Sequence, residues 1–253
     1  MELEGRTALV TGASGGLGPA MAAVLAREGA AVGLHYRTNK EAIEKVAAQL
    51  EEYRTFIVQG NLATHSGPPA ICKEVEKTLG PIDILVNNGG GWVEKTLLET
   101  TDQEWDELLQ ADLRGSFLTT RHTAPGMKER GWGRIVNIST VAALNVVPRE
   151  GAYGVAKAGV NMLTKTFAVE LGGFGITVNS IAPAWTLSHD QPYPPRSEDY
   201  PQCTNIPDQR PGHAREIAAL IRFLVSQEAA HINGQIIGVD GGLSAVLPAS
   251  RGS

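Results

Sequence analysis

Along the chain, short runs of β-branched and other apolar residues alternate with longer stretches in which apolar positions recur every three to four residues. The first pattern marks strands buried on both faces and the second amphipathic helices; their alternation specifies a parallel sheet covered by helices on both sides. The runs predict strands near Thr7–Val10, Ala31–Tyr36, Thr55–Gln59, Ile82–Asn87, Gly133–Ser139, Ile176–Ile181 and Gln235–Val239. Helices are predicted over Leu17–Glu28, Lys40–Tyr53, Gly67–Leu79, Asp102–Arg130, Ala152–Leu171 and Ala214–Ser226. The expected fold is therefore α/β, one domain spanning 1–253 with a doubly wound, seven-stranded parallel sheet. Residues 188–212 break the rhythm, because Pro192, Pro194, Pro195, Pro201, Pro207 and Pro211 exclude a long regular element. This insertion follows a strand's carboxyl end, the edge at which open α/β sheets bind ligands, and is expected to form a substrate lid.

Composition narrows the function by exclusion. A net charge of -5 without a basic stripe argues against nucleic acid and anionic membrane surfaces as partners. No apolar run approaches the ~20 residues of a membrane span, and Met1-Glu2-Leu3-Glu4-Gly5-Arg6 lacks the charge order and apolar core of a signal peptide, so a cytoplasmic protein is expected. Cys72 and Cys203 are too few for a disulfide framework and read as reduced thiols. The six histidines show no ligand spacing, and no metal site is expected.

Candidate chemistry gathers at the strand ends. The first strand runs into Thr11-Gly12-Ala13-Ser14-Gly15-Gly16-Leu17-Gly18 and an alanine-rich helix, the context in which glycines let backbone N–H groups approach a pyrophosphate. The second strand ends without the carboxylate that would grip the ribose of NAD. It offers Arg37 and Thr38 instead, which suit a 2′-phosphate and favour NADP(H) over NAD(H); the alternative is a solvated surface cation. Asn87-Asn88-Gly89-Gly90-Gly91 closes the fourth strand, and its glycines admit a close ligand or simply a flexible turn. Ser139 and Thr140 close the fifth. Tyr153 and Lys157, four apart on a helix, share one face; a cation beside a phenol that ordinarily titrates near pH ~10 favours the phenolate and makes a general acid.

This ordered set, ending in Val239-Asp240-Gly241-Gly242, resembles the short-chain dehydrogenase/reductase family over nearly the whole chain, with wording closest to its 3-oxoacyl-acyl-carrier-protein reductase branch. The resemblance implies a Rossmann-type domain, usually a homotetramer with contacts through the helices Asp102–Arg130 and Ala152–Leu171. It implies Tyr153 as acid/base, Lys157 holding the nicotinamide ribose and lowering the tyrosine pKa, and Thr140, thirteen residues before Tyr153, orienting a substrate carbonyl. By the same resemblance Gly12, Ser14, Gly16, Leu17 and Gly18 hold the pyrophosphate, Asn61 and Leu62 the adenine, and Asn88, Gly89 and Gly90 the cofactor's near face. Pro183, Thr186 and Ser188 are expected to hold the carboxamide.

The departures are specific. Asp112 stands where the family has an Asn in a proton relay, and its charge is expected to weaken the pull of Lys157 on Tyr153. Thr140 replaces the usual Ser, Ala184 a glycine, and Gly15 a cation often used for NADP. The expected activity is reduction of a 3-oxoacyl thioester or other mostly apolar ketone, a substrate class suited to Trp185, Tyr193 and Tyr200 in a lid whose charges, Arg196, Glu198, Asp199, Asp208 and Arg210, are scattered. His189 is a candidate second titratable group. The competing readings are a non-redox lyase or cyclase and a catalytically silent cofactor-binding subunit, both motivated by Asp112 and Ala184.

Overall fold

A computed structural model describes residues 2–196, 200 and 203–246. Its chain order is β1 (Thr7–Val10), α1 (Gly18–Arg27), β2 (Ala31–Tyr36), α2 (Lys40–Ala48), β3 (Thr55–Gln59), α3 (Gly67–Leu79), β4 (Ile84–Asn87), α4 (Asp102–Leu108) and α5 (Gly115–Arg130). It continues with β5 (Gly133–Ile138), α6 (Gly151–Leu171), β6 (Ile176–Pro183), β7 (Thr186–Leu187), β8 (Gly212–His213), α7 (Ala214–Val225) and β9 (Ile236–Val239). Seven strands form one parallel sheet in the order β3-β2-β1-β4-β5-β6-β9. The order reverses between β1 and β4, which opens a crevice at their carboxyl ends.

Side-chain alternation divides the core. From β1, β4 and β5, Val10, Val86 and Val136 point to one face, where α1, α2 and α7 cover them with Leu25, Ile43 and Ile221. Leu9, Leu85 and Ile135 point to the other, under Ile71 of α3, Met127 of α5 and Leu171 of α6. Strands buried on both faces need apolar residues at every position, which is why they read as continuous apolar runs. A polar chain crosses this core: Thr119 donates to Asn87 Oδ1 (2.7 Å), Asn87 Nδ2 to Asn137 Oδ1 (2.8 Å), and Asn137 Nδ2 to Thr164 Oγ1 (2.8 Å), fixing α5, β4, β5 and α6 to one another.

Three elements differ from expectation. The stretch Asp102–Arg130 is not one helix: α4 and α5 are joined by a π-helical segment, Leu109–Arg114, whose wider turn carries Asp112. Helix α2 ends at Ala48, because tight turns at Leu50 and Tyr53 (3.0 and 2.9 Å) tuck Leu50 into the core. The short strands β7 and β8 pair at the base of the 188–212 insertion and bracket it as a loop on a two-stranded stem. Glu198, Asp199 and Pro201 of that insertion lie outside the described residues.

The polar chain yields a stability prediction. Asn137→Ala strips one partner each from buried Asn87 and Thr164 and is expected to cost about 1–3 kcal/mol in urea denaturation. A loss within measurement error would show that the chain is not holding the layers together.

Candidate active site

The nucleotide side of the crevice is built by two loops that interlock. Gly12 follows β1 at φ +65°, and a Cβ there would lie 2.7 Å from Gly89 Cα, so neither a side chain nor an ordinary backbone fits. Gly18 packs on the Gly12 carbonyl in the same way. Asn88 Nδ2 donates to the carbonyls of Thr11 and Gly12 (both 3.0 Å), while Thr11 Oγ1 accepts the N–H groups of Asn88 and Gly89 (both 2.9 Å). The N–H groups of Ser14, Gly15, Gly16 and Leu17 find no acceptor among the described residues, and all four residues line a cavity of about 410 Å³ at the start of α1. Unpaired amides converging at a helix N-terminus form an anion site.

The same cavity is lined by Gly12, Arg37, Thr38, Asn61, Leu62, Asn88, Gly89 and Gly90, so most of the expected cofactor residues meet there. Arg37 and Thr38 are exposed at its rim, and Arg37 makes no ion pair among the described residues. Asn61 Oδ1 accepts from Ala63 N–H (3.0 Å), so one of its lone pairs is already used. Free amides, a guanidinium at the rim and glycine-rich walls fit a dinucleotide. Gly12 itself serves by shape, because its N–H donates to His35 Nδ1 (3.1 Å); Gly18 serves by packing and does not line the cavity. His35, Gly15, Asn39 and Ala111 also line it, although sequence reasoning did not assign them.

Beyond Gly90 lie the candidate catalytic residues. The π-helical turn sets Asp112 against the β4 loop, where Oδ2 accepts Gly91 N–H (2.9 Å) and a methyl group on Gly90 would overlap Oδ1. Asp112 Oδ1 faces Lys157 Nζ at 2.8 Å and has no other polar partner; both side chains are essentially shut from solvent. Lys157 also donates to the Ile138 carbonyl (2.8 Å) and stands 5.7 Å from the Tyr153 ring centroid. Burial is the largest single influence on the Lys157 ammonium and pushes it down, but the Asp112 charge, the Tyr153 phenol and the close Asp112 contact together outweigh it and hold the group above its ordinary value.

The tyrosine differs from expectation. Burial pushes the Tyr153 phenol up, Lys157 pulls it down, and the carboxylates of Asp112 and Glu150 oppose that pull, so the net displacement is upward rather than downward. Glu150, one turn before Tyr153, was also missed in the sequence. Burial raises its own pKa, the Trp92 indole opposes that rise, and the Glu94 charge adds to it. Thr140 is buried, and its Oγ1 accepts Ala142 N–H (3.2 Å), leaving the hydroxyl proton to donate. Ser139 instead faces the Lys157 carbonyl at 3.5 Å.

The lid stem places the remaining candidates away from the large cavity. Pro183 closes β6, Thr186 Oγ1 donates to the Ala184 carbonyl (2.8 Å), and the Ser188 hydroxyl is engaged by Asp190. Among the described residues the charges of this insertion are not scattered: Arg196 and Arg210 both pair with Asp208, and Arg210 and the Tyr193 phenol both meet Glu216 at the start of α7 (2.8 and 2.6 Å). Trp185 and Tyr200 pack edge-on at 6.0 Å. His189 Nδ1 is buried and has no partner among the described residues. Among the described residues no group of three or more His, Cys, Asp or Glu could hold a metal, and no helix is long and apolar enough to cross a membrane.

The doubly wound sheet thus carries a glycine turn with unpaired amides and a Tyr–Lys pair at its carboxyl edge. A family model described as enoyl-(acyl carrier protein) reductase matches residues 12–244. The chain is 36% identical over 252 residues to a short-chain type dehydrogenase/reductase of Picea abies, covering 95% of this chain and 93% of the relative. It is 37% identical over 240 residues to the 3-oxoacyl-acyl-carrier-protein reductase FabG of Staphylococcus aureus, covering 94% and 98%. Among solved structures, acetoin dehydrogenase YohF from Salmonella typhimurium superposes with a TM-score of 0.89 at 30% identity, covering 96% of this chain and 98% of that one. The chain belongs to the short-chain dehydrogenase/reductase family.

The buried pair generates a prediction. Lys157→Met leaves Asp112 as an unpaired buried charge and is expected to cost about 3–5 kcal/mol in urea denaturation, most of it recovered on adding Asp112→Asn. Equal stability of the single and double variants would show that the pair carries no charge coupling.

Proposed function

We propose that the protein is an NADP(H)-dependent carbonyl reductase in which Tyr153 is the general acid, acting on a 3-oxoacyl thioester or another mostly apolar ketone. The observation that carries this reading is the placement of Tyr153, Lys157 and Asp112 beside a cavity whose free amides and rim guanidinium suit a phosphorylated dinucleotide. When bound, the nicotinamide supplies the hydride. Tyr153 and Thr140 each keep a hydroxyl proton for the substrate oxygen, and both hydrogen bonds strengthen as negative charge builds there. A phenol held above its ordinary pKa stays protonated at neutral pH, which suits giving a proton in reduction more than taking one in oxidation.

Lys157 has three N–H donors. The Ile138 carbonyl takes one of them and the Asp112 carboxylate stands at ion-pair distance, leaving N–H capacity for the ribose or the phenol. The NADP preference rests on Arg37 and Thr38 at the rim and on the lack of a carboxylate at the end of β2. Exposed Trp92, Val146, Trp185 and Tyr193 support an apolar substrate. We read the assembly as a homotetramer, supported by Val155, Met162 and Val169, exposed at seven-residue intervals along α6. A cytoplasmic site accords with the free, buried thiols of Cys72 and Cys203.

Purified protein is expected to oxidise NADPH in preference to NADH with ketones or 3-oxoacyl thioesters, and Tyr153→Phe to lower the rate by about 10²–10⁴. An unchanged rate in the phenylalanine variant, or NADPH binding without turnover on any carbonyl, would overturn the reading.

A further inference from the structure

We infer that His35 is a positioning residue that clamps the glycine turn and divides its amides into two that face the protein and four that face the ligand. The inference rests on the cofactor reading above and adds a residue that the sequence motif does not contain. His35 is 2% exposed on β2, between the two loops that wall the cavity. Its Nδ1 accepts Gly12 N–H at 3.1 Å, and its main-chain carbonyl accepts Ala13 N–H at 2.7 Å. On the other side Nε2 meets the Gly60 carbonyl at 3.2 Å, one residue before Asn61 and Leu62 of the opposite wall.

The partners dictate the protonation state. A backbone N–H can only donate and a carbonyl can only accept, so Nδ1 is bare, Nε2 carries the hydrogen, and the ring is neutral. A second proton would set the Nδ1–H group against Gly12 N–H. Burial favours the same state, pushing the His35 pKa down to about 4, with the Gly60 bond opposing. One rigid, uncharged ring thereby spans the phosphate turn and the adenine wall and holds their separation. With Gly12 and Ala13 closed inward, the amides of Ser14, Gly15, Gly16 and Leu17 are left unpaired on the cavity side. The glycine motif supplies the shape of the turn, and His35 sets which N–H groups remain for an anion.

Site-resolved amide hydrogen exchange by NMR on the full chain tests this. Without cofactor, Gly12 and Ala13 are expected to be protected while Ser14, Gly15, Gly16 and Leu17 exchange freely; NADPH should protect the latter four and leave the first two unchanged. His35→Asn places an amide oxygen near the Nδ1 position, and is expected to keep Gly12 protected and to hold the NADPH Kd within about threefold. His35→Leu fills the space without the bonds, and is expected to expose Gly12 to exchange and to raise the Kd about tenfold or more. Gly12 exchanging as fast as Gly16 in the cofactor-free protein would overturn the clamp, as would a leucine variant that binds NADPH like the parent. If the leucine variant does not fold, Gly12 protection in the parent and its retention in His35→Asn decide the matter. Absence of any NADPH protection at Ser14–Leu17 would defeat the cofactor reading instead, and Gly12 protection would still judge the clamp.

Discussion

The contact between Asp112 and Lys157 joins the fold to the chemistry. Two opposite charges 2.8 Å apart are sealed between the π-helical turn, the β4 loop and α6, where neither would survive without the other. The π-helical segment Leu109–Arg114 carries this carboxylate to both Gly91 N–H and the ammonium. Asp112 also occupies the space that a side chain at Gly90 would need. The electrostatic consequence falls on Tyr153. A lysine already neutralised by a carboxylate cannot draw the phenol down as a free cation would, and Glu150 adds to the opposition.

The nucleotide side follows a different logic, in which close packing replaces charge. Gly12, Gly18 and Gly89 approach one another more closely than any residue with a Cβ allows, and Asn88 and Thr11 stitch the two loops with four hydrogen bonds. The N–H groups of Gly12 and Ala13 are satisfied by the protein; those of Ser14–Leu17 find no acceptor among the described residues. Rigid walls of this kind cost an anion little reorganisation on binding.

Much of this was legible along the chain. The five inner strands were marked by largely apolar runs because each is buried on both faces, the half-buried edge strands β3 and β9 by brief ones, and the glycine turn, Asn88, Tyr153 and Lys157 were marked by spacing. What was not legible depends on contacts between distant elements. The π-helical turn has no local signature: Leu109–Arg114 has ordinary helical composition, and the turn widens where Asp112 meets Lys157 and the β4 loop. His35 reads as one more strand residue until β1 and β3 are set on either side of it. The upward displacement of Tyr153 comes first from its burial in the folded site, with Asp112 and Glu150 adding to it, and the β7–β8 stem is too short for any periodicity to show.

The account stands or falls on the state of one phenol. Ultraviolet titration of tyrosinate, with Tyr153→Phe subtracted, isolates Tyr153 in the parent protein and in Asp112→Asn. The account predicts ionisation above the ordinary phenol range in the parent and at distinctly lower pH in the asparagine variant, where Lys157 is no longer neutralised. A parent tyrosine that ionises below the ordinary range, or one that does not move when the Asp112 charge is removed, would contradict it.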